Sequence, residues 1–169
     1  MSIFLIQYRI YIILRPAGRL KTKPAMYDHI SFHTAENYPT DLPKTHAAHH
    51  IGYYYAWAVS QNLHSPEAET LPQFDELQNG TVSGAEFVLK QLKGGIDKTC
   101  FNDLGNRFTQ YYYDDEDEGY GNFMTDYFQT LGIESENEFY RTQDNRENQS
   151  LLNQTFQTAF DKWLDSLKP

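Results

Sequence analysis

Apolar residues along most of this chain recur at steps of three and four, the spacing that places side chains on one face of a helix. In the stretch 45–62, Ala48, Ile51, Tyr55, Ala58, Val59 and Asn62 share such a face, with Thr45 as the capping residue. His50, Tyr54, Trp57 and Gln61 form the adjoining stripe, whose rings pack while their polar tips need partners. Ser65-Pro66-Glu67 gives a cap, a first-turn proline and an acid in the order of a helix start; Pro72 limits or restarts that element, and Asn79-Gly80 closes it as a turn. Ser83 and Glu86 have the spacing of a capping box, in which hydroxyl and carboxylate satisfy unpaired backbone donors. Phe87, Val88, Leu89 and Leu92 follow, and Gly94-Gly95 stops that helix. Asn102 caps a helix carrying Leu104, Phe108, Tyr111 and Tyr112. Phe123, Met124, Tyr127, Phe128 and Leu131 mark another, ended by Gly132.

The two ends differ in texture. Residues 26–44 hold Pro39 and Pro43 and keep no period, so Tyr27, Ile30, Phe32 and Tyr38 are expected to lay an irregular backbone against a core. Residues 135–150 are polar, with capping-box spacing at Ser135 and Glu138. Leu152, Phe156, Ala159, Phe160, Trp163 and Leu167 then trace an amphipathic helix of about four turns. With no internal repeat or linker, the pattern predicts an all-α fold: a single compact domain of five to seven short helices with an irregular N-terminal segment. Residues 133–169 form an additional polar segment and C-terminal helix.

Charge changes this picture at Met26. Residues 1–25 carry five of the 14 Lys and Arg and none of the 23 Asp and Glu, so residues 26–169 bear a net −14. The apolar stretch Ile3 to Leu14 is interrupted by Arg9 and is too short for a bilayer span of about 20 residues. Its charge follows the apolar stretch and no small-residue cleavage site comes after, which is not the order of a signal peptide. The extension is a strand or membrane-touching segment, or else Met26 is the true start. The acidic body argues against nucleic acid and membrane partners, because phosphates are bound by Lys and Arg. A cytoplasmic protein is expected. The single cysteine, Cys100, excludes a disulfide within the chain and reads as a buried structural thiol.

Three constellations could carry chemistry. His46 and His50 have the i, i+4 spacing that aligns two imidazoles for zinc or iron, with a third ligand from His29, His33 or Asp28. The Glu of an H-E-x-x-H site is missing between them. The acidic run Asp114, Asp115, Glu116, Asp117, Glu118 before Gly119 resembles the start of a calcium loop, but Thr125 stands where a bidentate Glu is needed. The triplets Tyr53–Tyr55 and Tyr111–Tyr113 each sweep about 300° of a helix, so at least one ring of each is expected to face away from the core. No phosphate-binding glycine loop or nucleophile motif is present.

A resemblance rests on Tyr27, Asp28, Phe32, Pro39, Asp41, Leu42, Pro43, His50, Ile51, Gly52 and Trp57, continued by Leu104, Phe108, Tyr112, Asp126 and Tyr127. Over about residues 26–131 the chain resembles a family of small uncharacterised acidic bacterial proteins. That resemblance brings no activity with it, and small acidic proteins of this kind often act as immunity proteins beside toxins. The leading expectation is therefore a protein-binding module, most of all an immunity protein that neutralises a basic toxin partner. Tyr54, Trp57, Tyr111, Tyr113 and the Asp114–Glu118 run are its expected contact residues, with no cofactor and a monomer or homodimer. The alternative is a metal-dependent enzyme using zinc or iron at the cluster around His46 and His50.

Overall fold

A computed structural model describes residues 26–35, 38–114 and 120–169; the expectations for residues 1–25 and for Asp115 to Glu118 lie outside these. The fold is all-α with one small sheet. Strand β1 (Met26–His29) pairs antiparallel with β2 (Gly95–Asp97), in a register that shifts between Met26 and Asp28. The helices are α1 (Ile30–His33), α2 (His49–Ser60), α3 (Phe74–Gln78), α4 (Gly84–Gln91), α5 (Asp103–Thr109), α6 (Tyr120–Leu131), α7 (Glu136–Phe139) and α8 (Arg146–Ser166). Single 3-10 turns at Lys44–Ala48, Pro66–Thr70 and Lys98–Cys100 join them. No helix among the described residues is long and apolar enough to cross a membrane.

Helix α2 is the axis around which the rest is arranged. Nine of its twelve residues are buried, Tyr53, Tyr54 and Tyr55 among them at 1%, 0% and 0% exposure. This corrects the expectation that one ring of the triplet faces outward. A helix enclosed on every side has no outward direction, and each ring finds its own neighbour. Tyr53 reaches the backbone carbonyl of Gln143, Tyr54 packs on Tyr113 with centroids 4.9 Å apart, and Tyr55 lies between Phe87 and Phe101.

Glycine lets α4 come this close. A Cβ on Gly52 would overlap the backbone of Gly84 and Ala85, and one on Gly84 would overlap the Gly52 carbonyl. The helices therefore meet backbone to backbone. On the other side α6 and α8 close an aromatic core in which Trp57, Phe108, Phe123 and Phe156 interlock at centroid distances of 5.6–5.8 Å. Edge-on and stacked ring pairs of this kind contribute about 0.5–1.5 kcal/mol each beyond their buried area.

Three of the predicted caps form, whereas Thr45 lies inside the Lys44–Ala48 turn and caps nothing, and Ser65 stands at its helix start without a side-chain cap hydrogen bond. Ser83 Oγ accepts from the Glu86 N–H at 3.1 Å, Asn102 Oδ1 from Gly105 at 2.8 Å, and Ser135 and Glu138 make their reciprocal pair. Helix α8 is longer than predicted, with 21 residues: Asn145 Oδ1 accepts from the Asn148 N–H at 2.8 Å, so the polar run before Leu152 is helical rather than loop. Asn145→Ala is expected to lower stability by about 1 kcal/mol, read from the urea midpoint. An unchanged midpoint would mean that α8 starts independently of its cap.

Candidate functional site

The central feature is a buried carboxylate with two imidazoles on it. Strand β1 delivers Asp28, the single turn of α1 returns His33 over it, and the first turn of α2 presents His50. His33 Nε2 lies 2.7 Å from Asp28 Oδ1, and His50 Nε2 lies 3.2 Å from Asp28 Oδ2. The two rings meet edge to face with centroids 4.5 Å apart. Asp28, His33 and His50 are 8%, 9% and 3% exposed. Among the described residues these three form the group whose ligand atoms all lie within 4.8 Å of one another.

Four donors converge on the one carboxylate. Besides the imidazoles, the His29 N–H donates to Oδ1 at 2.7 Å and the Tyr113 hydroxyl to Oδ2 at 2.6 Å. A second tyrosine, Tyr140, places its hydroxyl 3.1 Å from His33 Nδ1, on the far side of that ring. Burial alone would raise the Asp28 carboxyl, but the facing imidazoles hold it well below the usual carboxylate range. His50 is pushed down to about 4, first by burial and then by the neighbouring His33, so its ring is neutral.

Local sequence explains how each part is held. Ser31 N–H donates to His29 Nδ1 at 3.0 Å, so the side chain before α1 caps it and fixes the turn that carries His33. A π-helical turn at Gln110–Asp114 continues α5, and its smaller rotation per residue lets both Tyr112 and Tyr113 point inward. His46 and His49 fasten the opposite wall. Their Nδ1 atoms lie 2.9 and 2.8 Å from the carbonyls of Tyr140 and Thr142, so both nitrogens carry the proton and donate.

These placements revise the sequence expectations. His46 and His50 do not converge: the chain is a 3-10 turn at His46 and becomes α-helical only at His49, which breaks the i, i+4 alignment. His50 joins Asp28 and His33 instead. Tyr54 and Trp57 are not at the surface; Tyr54 pairs with Thr109 Oγ1 at 2.9 Å, and Trp57 packs among Phe108, Phe156 and Phe160. Tyr113 is 6% exposed and belongs to the Asp28 cluster rather than to an outer surface. Tyr111 is half-buried and stacks on Trp163, and Asp114 is half-buried at the end of the π turn. Cys100 is buried, as expected, and burial pushes its thiol up to about 12. Sequence reading missed Tyr140, which lies 107 residues from His33 and has no spacing to betray it.

The arrangement has two chemical states open to it. With Nε2–H tautomers on both rings, the carboxylate is a closed acceptor for four donors, and His33 Nδ1 accepts from Tyr140. With the protons moved to Nδ1, two Nε2 lone pairs and a carboxylate oxygen lie within 4.8 Å of one another, the donor set of a two-histidine, one-carboxylate metal centre. Tyr140 then accepts from His33 Nδ1–H, the outer partner that orients such a ligand.

Among known proteins, no curated protein and no solved structure matches the chain. A domain of unknown function, DUF7832, matches residues 26–142. The matched region runs from β1 to Thr142, just past α7, and so contains Asp28, His33, His50, Tyr113 and Tyr140. It covers more than half of the 169 residues, and the chain belongs to the family defined by this domain of unknown function.

Proposed function

We propose that the domain binds one divalent transition ion, zinc or iron, through Asp28, His33 Nε2 and His50 Nε2. The observation that carries this reading is the convergence of these three ligand atoms, from three separate elements, within 4.8 Å in the interior. A neutral His50 and an ionised Asp28 are the forms that ligate. Three protein ligands leave further positions on the ion for water or a substrate, the arrangement of catalytic rather than structural ions. The Asp28 and His33 side chains keep 11% and 6% exposure, so the cluster is approached from their side. This supports the metal-dependent enzyme reading, with Asp28 and His33 in place of His46.

The test is metal analysis of the 169-residue chain purified from its own host without a histidine tag. About one zinc or iron per chain is expected, falling to background in His33→Ala and His50→Ala. Circular dichroism of each variant checks that the fold survives. A wild-type chain that is folded yet retains less than about 0.1 ion after exposure to Zn²⁺ and Fe²⁺ would exclude the site.

A second reading, a module that covers a basic partner such as a toxin, is supported by the −14 charge of residues 26–169. Of its proposed contacts, Tyr111 and Asp114 keep partial exposure, while Tyr54, Trp57 and Tyr113 are committed to the interior. Capture of a basic protein by metal-free chain would favour it over the ion.

A further inference from the structure

A cleft of about 930 Å³ opens between the Pro66–Thr70 turn, the end of α4 and the Lys98–Cys100 turn. It is separate in composition from the Asp28 cluster, whose residues do not line it. Tyr55, Ser65, Cys100 and Phe101 line its buried part, and Leu71 and Leu92 give it apolar walls. Its size is that of a small-molecule site.

Two features say what such a molecule must carry. Tyr55 is 0% exposed, lines the cleft, and its hydroxyl has no hydrogen-bond partner among the described residues. Buried hydroxyls without a partner are costly and uncommon, so this one is a donor waiting for an acceptor. Nearby polar groups are already engaged: the Cys100 thiol and the Thr99 hydroxyl both point to Asp97 Oδ1. The second feature is charge. Glu67, Asp97 and Asp103 line the cleft against a single Lys93, and Glu67 and Asp103 are exposed with no ion pair among the described residues.

We infer that this cleft binds a small organic cation with an apolar body, whose acceptor group receives a hydrogen bond from the Tyr55 hydroxyl and whose ammonium faces Glu67 and Asp103. Tyr55 is a specificity residue in this site. It rejects a ligand without the acceptor, because the hydroxyl then stays desolvated and unpaired. The acids reject the corresponding anion.

Three probes of similar frame separate these contributions: tyramine, phenethylamine, which lacks the phenolic oxygen, and 4-hydroxyphenylacetate, which reverses the charge. Each is titrated into the ¹⁵N-labelled 169-residue chain and followed by amide shifts. Tyramine is expected to saturate shifts at Gly95, Cys100, Phe101 and Asn102, with phenethylamine about fivefold weaker and the anion weaker still. Tyr55→Phe is expected to keep or raise the melting temperature, since the hydroxyl is buried with no partner in the fold, and to erase the difference between the two amines. No saturable shift up to about 10 mM tyramine would overturn the inference. So would equal or tighter binding of the anion, or a tyramine preference that survives in Tyr55→Phe.

Discussion

Gly52→Ala is expected to lower stability by about 4 kcal/mol. The new methyl would enter the backbone of Gly84 and Ala85, not a side chain that could swing away. Helices α2 and α4 would have to separate, and every contact along their seam would loosen with them. Tyr55 and Phe87, stacked at 6.0 Å across this seam, would lose their fit. For a domain of this size a loss of 1 kcal/mol lowers the melting temperature by roughly 3 °C, so a drop of about 12 °C is expected by calorimetry. A drop under about 3 °C would mean that the helices can move apart freely and that close approach is not what Gly52 provides.

Asp28→Asn carries the second large effect, with a different cause. The substitution keeps the shape of the side chain but replaces one acceptor oxygen with an NH₂ donor. Asp28 faces donors at both oxygens: His29 N–H and His33 on Oδ1, Tyr113 and His50 on Oδ2. Either orientation of the amide therefore sets donor against donor. Loss of the charge also leaves the imidazoles without the anion they face in the interior. Each buried donor left without its acceptor costs about 1–3 kcal/mol, so a loss of about 3 kcal/mol is expected. The measurement is urea unfolding with a chelator present, so that the loss reports the hydrogen-bonded cluster and not a bound ion. A midpoint equal to that of the wild type would show that the cluster contributes no net stability without metal.

Much of the helical framework was legible because local chemistry decides it. The caps at Ser83, Asn102 and Ser135 act on backbone groups within three residues, and they stand where the sequence puts them. The stripes along α2 and α6 were legible for the same reason, although the sequence could not tell that α2 is enclosed. Three tyrosines in a row look amphipathic until helices arrive on all sides, and only tertiary packing supplies those. The sheet escaped notice because strands of four and three residues leave no period to read. Helix α8 began early because Asn145 caps it, and a polar first turn resembles a loop in any hydropathy pattern.

The site was legible only in part. Asp28, His33 and His50 were all candidates, but the spacing rule joined His50 to His46. That rule assumes a continuous α-helix, and the 3-10 turn at Lys44–Ala48 breaks the assumption. The contact of Asp28 with Tyr113 spans 85 residues, and that of His33 with Tyr140 spans 107. Such distances are fixed by the packing of whole elements, so no local pattern encodes them.

Helix α8 lies beyond the region that the family domain matches, yet Phe156 and Phe160 fill the centre of the aromatic core. Gln143 and Asn145 meet the Tyr53 hydroxyl just before it begins, so the helix arrives on a short, anchored tether. In binding terms α8 is a ligand that the domain carries with it, presented at the millimolar effective concentration of a short linker. Its groove, floored by Trp57, Phe108, Tyr112 and Phe123, is thus also a receptor, one whose occupancy is set by the chain itself. A peptide from elsewhere could enter only by outcompeting a partner that never diffuses away.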